Sequence, residues 1–522
     1  MEIAMVDVVD SALTSRFLRG LATAPTNTAL RVGARSVSYA ELHELALNWA
    51  GALHAGPAGP PRAVGVLTGK SVEGYAGILA ALYAGATVVP LHAGFPLART
   101  RRMLEMARVD AVIADEQGLV VLAEPALAGT ELPTLAPEVA DDGAPTRIPT
   151  AGHRLDAPVR VRDRDTAYVL FTSGSTGRPK GVPITHGMAR HYFMLADRRY
   201  DFTSDDVFSQ TFDLNFDCAM FDMFCAWGAG ASVHPVPAQA YRDLAGFFAE
   251  RNMTVWFSAP SAITLARRMG GLAPGGMPTL RWSLFAGEAL RASDVVDWHA
   301  AAGSSTVENI YGPTELTLTI TGHRWSPEDS PGLCVNGLVP VGTVHEGHRH
   351  LLLTPDGDLS DHEGELCVTG PQMTPGYLDP ADDAGRFLEH EGRTWYRTGD
   401  RVRRLGNDEL IYLGRWDSQV QVNGWRVELA EIEFALAGCP EVRDAVAVAR
   451  TVDDGTELAV FYTGEPVPAA RLAKQLAEIL PKGMMPRQYT HLTEFPLNSN
   501  RKIDRIRLAG EAADRPGGMR SN

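Results

Sequence analysis

Between residues 171 and 181 the chain reads FTSGSTGRPKG. Thr172, Ser173, Ser175 and Thr176 offer hydroxyl donors, and Lys180 offers a cation. Gly174, Gly177 and Gly181 let backbone N–H groups close on an anion. This is chemistry suited to phosphate. The G-x-x-x-x-G-K-[ST] loop is excluded: counted from Gly174, Pro179 stands where the second glycine belongs, and Gly181 follows Lys180. The G-x-G-x-x-G dinucleotide loop is excluded by glycine spacing. A flexible linker would not usually follow an apolar strand such as DTAYVLF (165–171), nor set Arg178 and Lys180 around a stiff proline.

The elements around the loop are those of an α/β protein. RAVGVLTG (62–69) reads as a buried strand, SVEGYAGILAALYAGA as a helix and TVVPL (87–91) as a second strand. Repetition of that unit predicts parallel sheets covered by helices, with ligands held at the strands' C-terminal ends. Residues 124–165, rich in Ala and Pro, read as a surface connection with little core. Val9, Leu13, Phe17 and Leu21 recur at helical spacing. From about residue 417 the pattern becomes alternating strands, a helix from about Ala430 and another at 469–480, a compact α+β unit. Two domains are expected, 1–416 and 417–522. No internal repeats or heptads are present.

Composition narrows the function further. The chain has 522 residues and a formal charge of −15, which disfavours nucleic acid or an anionic membrane as partner. Its five cysteines are scattered, with no metal-binding or disulfide pattern, so a reducing, cytoplasmic setting is expected. No secretory leader is read at the N-terminus and no apolar run is long enough to span a bilayer.

The glycine-rich loop resembles the phosphate loop of the adenylate-forming superfamily, and further motifs follow in that family's order. They are VSYAELHELA (37–46), YAGATVVPL (83–91), NIYGPTE (309–315), GELCVTGPQMTPGYL (364–378), YRTGD (396–400), GRWDSQVQVNGWRVELAEIE (414–433) and PLNSNRKIDR (496–505). Together they cover nearly the whole chain. The resemblance is to stand-alone amino acid adenylation enzymes of the nonribosomal peptide synthetase type, including those like D-alanine:carrier-protein ligase. It implies a large N-terminal domain of stacked αβ layers and a small mobile C-terminal lid.

What the resemblance implies for the site is specific. ATP would be held by Thr172 to Gly177 and Lys180, by Gly287, Glu288 and Ala289 of AGEAL, and by Asn309, Ile310, Tyr311 and Gly312. Tyr311 would pack on adenine. Asp400 would accept from the ribose hydroxyls, with Arg415 and Tyr412 nearby, and Thr314 would touch the α-phosphate. Glu315 and Thr176 would hold Mg²⁺, a hard ion that takes oxygen ligands. His186 would sit near the reacting carboxylate. Lys502 would bridge carboxylate and ribose during adenylation, although Arg501 replaces the family's usual glycine before it. Asp417 would be the hinge, after which Gly424 and Trp425 face an incoming thiol; Gln421 replaces a usual basic residue. Taken singly, each of these positions has a plainer reading as a turn, a helix start or a surface residue.

The acid to be activated is read from FDLNFDCAMFDMF (212–224). The family places an aspartate there against the substrate ammonium, and Asp213 and Asp217 compete for the role. Asp217 is chosen because it sets Phe221 at the aromatic position. The carried-over pocket is Asp217, Cys218, Phe221, Phe257, Leu284, Ala286, Ile310, Leu318 and Thr319, which is small, apolar and without a second charge. It predicts alanine or a similar small neutral amino acid. The sequence ends 20 residues after Lys502 without a carrier motif, so a phosphopantetheinylated carrier protein acting in trans is expected as acceptor. The competing readings are an acyl-CoA or aryl-acid:CoA synthetase and a non-catalytic nucleotide-binding regulator.

Overall fold

The computed structural model describes residues 13–57, 59–127, 132–136, 147–150, 152–174, 178–415, 419–452, 455–496 and 503–514. Among them, the core is built on two large sheets. One has Ala63–Leu67 at its centre, parallel to Thr87–Leu91 and Ala111–Ala114. Its edge carries the loop: Thr166–Thr172 runs parallel to Thr87–Leu91 and antiparallel to Lys180–Thr185. The glycine-rich segment thus joins two antiparallel strands, and its residues 175–177 lie outside the described ones.

The second sheet, of nine strands, supplies the rest of the site through Val207–Gln210, Val255–Ser258, Trp282–Phe285 and Thr306–Tyr311. Between the sheets lie the helices Val72–Tyr83 and Asp217–Ala229, both apolar on nearly every face, as the sandwiched position demands. Helix Asp217–Ala229 ends at Gly230, whose φ of 80° forms the left-handed cap that a side chain would resist. Helix Tyr39–Ala55 starts with a capping box: the Glu41 N–H donates to Ser38 Oγ at 3.2 Å, and the Ser38 N–H to the Glu41 carboxylate at 2.8 Å.

The stretch 124–165 differs from its expected role. Leu127, Leu135 and Ile148 are buried, and the short strand Thr134–Leu135 extends the first sheet beside Ala111–Ala114. A two-residue strand is too short to leave a periodic signal. The expected N-terminal helix spans Thr14–Thr23, and Val9 lies outside the described residues.

A third sheet, antiparallel, carries Arg393–Arg404 and Leu410–Arg415, with Asp400 directly opposite Arg415. The C-terminal unit opens with a hairpin, Gln419–Val422 and Trp425–Glu428, followed by helix Leu429–Ala437 and a three-stranded sheet. It has its own core of Val427, Ile432, Leu436, Leu458, Val460, Leu472 and Leu476. The boundary and hinge expected at Asp417 lie outside the described residues. Among the described residues no helix is long and apolar enough to cross a membrane.

Candidate functional site

A cavity of about 590 Å³ opens between the core and the lid hairpin. It gathers residues from both large sheets, the third sheet and the lid. Of those expected to bind nucleotide, Thr172, Ser173, Gly287, Glu288, Ala289, Asn309, Ile310, Tyr311, Gly312, Thr314, Asp400, Tyr412 and Arg415 line it. Of those expected to bind the acid, Asp217, Cys218, Ala286, Ile310 and Leu318 line it. Ser175, Thr176, Gly177, Asp417 and Lys502 lie outside the described residues.

Asp400, expected at the ribose, is tethered through both of its oxygens. Its Oδ1 accepts from Arg415 Nη1 at 2.6 Å, and its Oδ2 accepts from the Tyr311 hydroxyl at 2.5 Å. Arg415 also donates to Thr398 O at 3.0 Å. Carboxylate oxygens carry two lone pairs each, so Asp400 keeps acceptor capacity toward a diol while its orientation is set. Glu288 is similarly bound, accepting from the Ser261 N–H at 2.8 Å and from the lid's Gly424 N–H at 2.6 Å.

At the other end, Asp217 is the first residue of its helix and Asp213 lies outside the cavity. Asp213 is 3.6 Å from Lys70 Nζ and 3.8 Å from His92 Nε2, at a neighbouring 370 Å³ cleft. Burial pushes the Asp217 carboxyl up to about 6, against hydrogen bonds from Thr314 and Cys218, and among the described residues it forms no salt bridge. A carboxylate held in a desolvated site without a counter-charge is matched to an incoming ammonium.

The far wall explains the pocket's size. Phe221 sits four residues after Asp217 and so shares its helix face. It packs edge-on against Phe257 at 5.1 Å, and Phe257 against the cavity-lining Phe212 at 5.0 Å. Phe257 pairs in register with Leu284 on the adjacent strand, and all three side chains are buried. Phe221, Phe257 and Leu284 thus fill the space behind the cavity rather than line it. Phe257→Ala is expected to destabilise the fold by about 3–5 kcal/mol, as for other buried phenylalanines. It should also shift preference toward larger side chains, read as relative kcat/KM for alanine and leucine.

Several expectations are corrected. His186 does not line the cavity: it is buried at the start of helix His186–Arg199, where its Nδ1 accepts from the Leu13 N–H at 3.0 Å. Burial lowers its pKa to about 4, so it is a neutral tether for the N-terminal helix. Thr319 faces Tyr192, with 3.2 Å between the hydroxyls, and not the cavity. Gly174 and Lys180 also stand behind the lining, Lys180 with its ammonium 5.2 Å from the Tyr377 ring centroid.

Glu315, expected at a metal ion, is buried and already engaged. Its Oε1 accepts from the Tyr377 hydroxyl and its Oε2 from the lid's Arg426 Nη1, each at 2.7 Å. Although burial acts the other way, Arg426 and Tyr377 hold its pKa at about 2. A dication would meet the guanidinium at close range, so the residues in this arrangement do not fit a metal ion.

Two features carry no signal in sequence spacing. Thr317 and Leu318 have φ of 54° and 70°, a conformation rare for such side chains. Gln372 holds that turn, its Nε2 donating to the carbonyls of Leu316, Thr317 and Thr319 at 3.0–3.1 Å. The second is the lid's Trp425, set between Phe216 at 5.2 Å and Phe95 at 6.2 Å.

A family model for AMP-binding enzymes matches residues 17–378. The chain belongs to the AMP-binding enzyme family. This AMP-binding enzyme is 31% identical over 514 residues to an L-proline–[L-prolyl-carrier protein] ligase of Pseudomonas fluorescens, covering 95% of this chain and 98% of that one. Two further relatives are much longer, and the chain spans 6% and 40% of their lengths. Among solved structures it is similar to IdnL7, at 55% identity and TM-score 0.75 over 97% of this chain and 99% of that one. It is also similar to the adenylation domain AlmE of Vibrio cholerae in complex with glycyl-adenosine-5'-phosphate, at 27% identity and TM-score 0.84 over 99% of both chains. The enzyme is a ligase with the large core and small lid of its relatives.

Proposed function

We propose that this ligase uses ATP to activate a small neutral amino acid of about alanine's size as its aminoacyl-adenylate. It then passes the aminoacyl group to the phosphopantetheine thiol of a separate carrier protein. The observation that carries this is Asp217, a desolvated carboxylate without a counter-charge among the described residues, at the end of a cavity closed by Phe221 and Phe257. The names of two similar proteins support it, one a prolyl-carrier-protein ligase and the other a complex with a glycyl-adenylate.

In the proposed chemistry Asp217 pairs with the substrate ammonium, leaving the carboxylate toward Thr314. A carboxylate oxygen bonds to the α-phosphorus of ATP and the bond to pyrophosphate breaks. Asp400 holds the ribose while Lys502 stabilises the negative charge as the two anions meet. In the second step the thiol sulfur bonds to the acyl carbon, its proton is lost, and AMP leaves with the former acyl–oxygen pair. Gly424 and Trp425 then border the path of the thiol.

Pyrophosphate exchange over glycine, alanine, proline, phenylalanine, acetate and benzoate tests the reading. Glycine and alanine are expected to lead, with phenylalanine weak and the amine-free acids silent. Proline in the lead would overturn the substrate assignment alone. Exchange driven by acetate or benzoate would overturn amino acid activation itself.

A further inference from the structure

The turn at residues 314–319 carries two side chains of the site. Thr314 hydrogen-bonds Asp217, and Leu318 lines the cavity. Between them the chain reverses through Thr317 and Leu318, both in the left-handed region, which is a genuine outlier for a β-branched residue such as Thr317. Such a conformation persists only where the surroundings over-determine it. One segment does so. The carbonyls of residues 315, 316, 317 and 319 all accept from residues 372–374: Glu315 O from the Thr374 N–H at 2.8 Å, and the other three from Gln372 Nε2 at 3.0–3.1 Å. Thr317 Oγ1 returns a bond to Gln372 O at 2.8 Å. The remaining carbonyl, Leu318 O, packs on Gly312, where a Cβ would come within 2.7 Å of it. The turn is thus fixed between a glycine that lines the cavity and a glutamine that does not.

Gln372 is wholly buried, and its Oε1 has no hydrogen-bond partner among the described residues. An apolar side chain of the same length would fill that space without stranding an acceptor, so packing does not account for an amide here. What only the amide supplies is a donor shared among three carbonyls. We infer that Gln372 is a positioning residue for amino acid selection: by holding the turn at Thr317 and Leu318 it keeps the Leu318 side chain against the cavity and so limits the size of side chain accepted. The role rests on the amino acid site of the proposed function. Without the amide, three buried carbonyls lose their donor and two strained residues lose what holds them. The turn then relaxes toward ordinary backbone angles, and Leu318 is displaced with it. Phe221 and Phe257 stand on other elements, helix Asp217–Ala229 and strand Val255–Ser258, and stay in place. The cavity gains room beside Leu318, which a branched side chain can use and alanine cannot.

Pyrophosphate exchange with alanine and with leucine, on the full chain carrying Gln372→Met, Leu318→Ala or both, tests this. Gln372→Met keeps the length of the side chain and removes the donor. It is expected to lower the alanine-to-leucine ratio of kcat/KM by roughly tenfold, the scale on which an apolar wall separates side chains of different size. The KM for ATP should change little. Leu318→Ala is expected to lower the ratio by at least as much. The double variant should match Leu318→Ala alone, because a residue that acts through Leu318 then has nothing left to position. A general loosening of the fold would instead add its effect to that of Leu318→Ala. An unchanged ratio in folded Gln372→Met, or effects that multiply in the double variant, would overturn the proposal and leave amino acid activation standing. Gln372→Leu repeats the test with a shorter apolar side chain, and circular dichroism checks that each variant is folded. If neither Gln372 variant folds, the residue serves the fold alone and the proposal fails. Exchange driven in the wild type by acetate or benzoate, and by no amino acid, would overturn the proposed function and this role with it.

Discussion

Asp217→Asn is expected to reduce amino-acid-dependent pyrophosphate exchange by roughly three orders of magnitude in kcat/KM, because losing one partner of a buried ion pair costs about 3–5 kcal/mol. The same substitution is expected to stabilise the unliganded enzyme at neutral pH. Burial raises this carboxyl from 3.8 to about 6, so between those values the native state keeps a proton that the unfolded chain has lost. Stability therefore falls as pH rises through that window, and above pH 6 the full penalty of about 3 kcal/mol is present. Asparagine carries no such penalty, so the gain should be largest above pH 6 and vanish toward pH 4. Wild-type kcat/KM should show an acidic limb with an apparent pKa near 6, below which the carboxyl is neutral and the ammonium unpaired. The variant should lack that limb. Urea unfolding and exchange kinetics from pH 4.5 to 8 measure both effects. Full activity in Asp217→Asn would show that another group holds the amine.

Asp400→Ala is expected to damage both fold and nucleotide binding. Arg415, 8% exposed, loses its carboxylate partner inside the protein. Leaving a buried charge without its partner costs about 3–5 kcal/mol, to be read from urea unfolding. Loss of a charge-assisted hydrogen bond to the ribose should also raise the ATP KM by roughly tenfold to a hundredfold. The KM for the amino acid should change much less, since Asp217 and Asp400 share no hydrogen bond or ion pair among the described residues. An unchanged ATP KM in Asp400→Ala would remove it from the nucleotide site.

These expectations separate what was legible in the chain from what was not. The hydroxyl and glycine pattern of 171–181 and the strand–helix–strand repeat after residue 62 are local, and local spacing is enough to read them. The preference for Asp217 over Asp213 rests on the register of the family motif that the segment resembles, which sets Phe221 at the aromatic position. His186 was misplaced for the opposite reason. Its neighbours in the chain say nothing of Leu13, 173 residues away, whose N–H it accepts.

The residue types and their order by themselves determined an α/β core and the membership in an adenylate-forming family, and they marked the loop at 171–181 and Asp217 as the groups expected to meet phosphate and an amine. Only the tertiary structure decided which of those side chains share a cavity, that Phe221 and Phe257 wall it rather than line it, and that Gln372 holds the strained turn at Thr317 and Leu318. It alone set Arg426 on Glu315, 111 residues apart, and Glu431 on Arg99, 332 apart. Contacts across such separations follow no periodic rule. They arise when sheets, helices and a separate lid pack together, and each charge must then find its partner where the fold has left one.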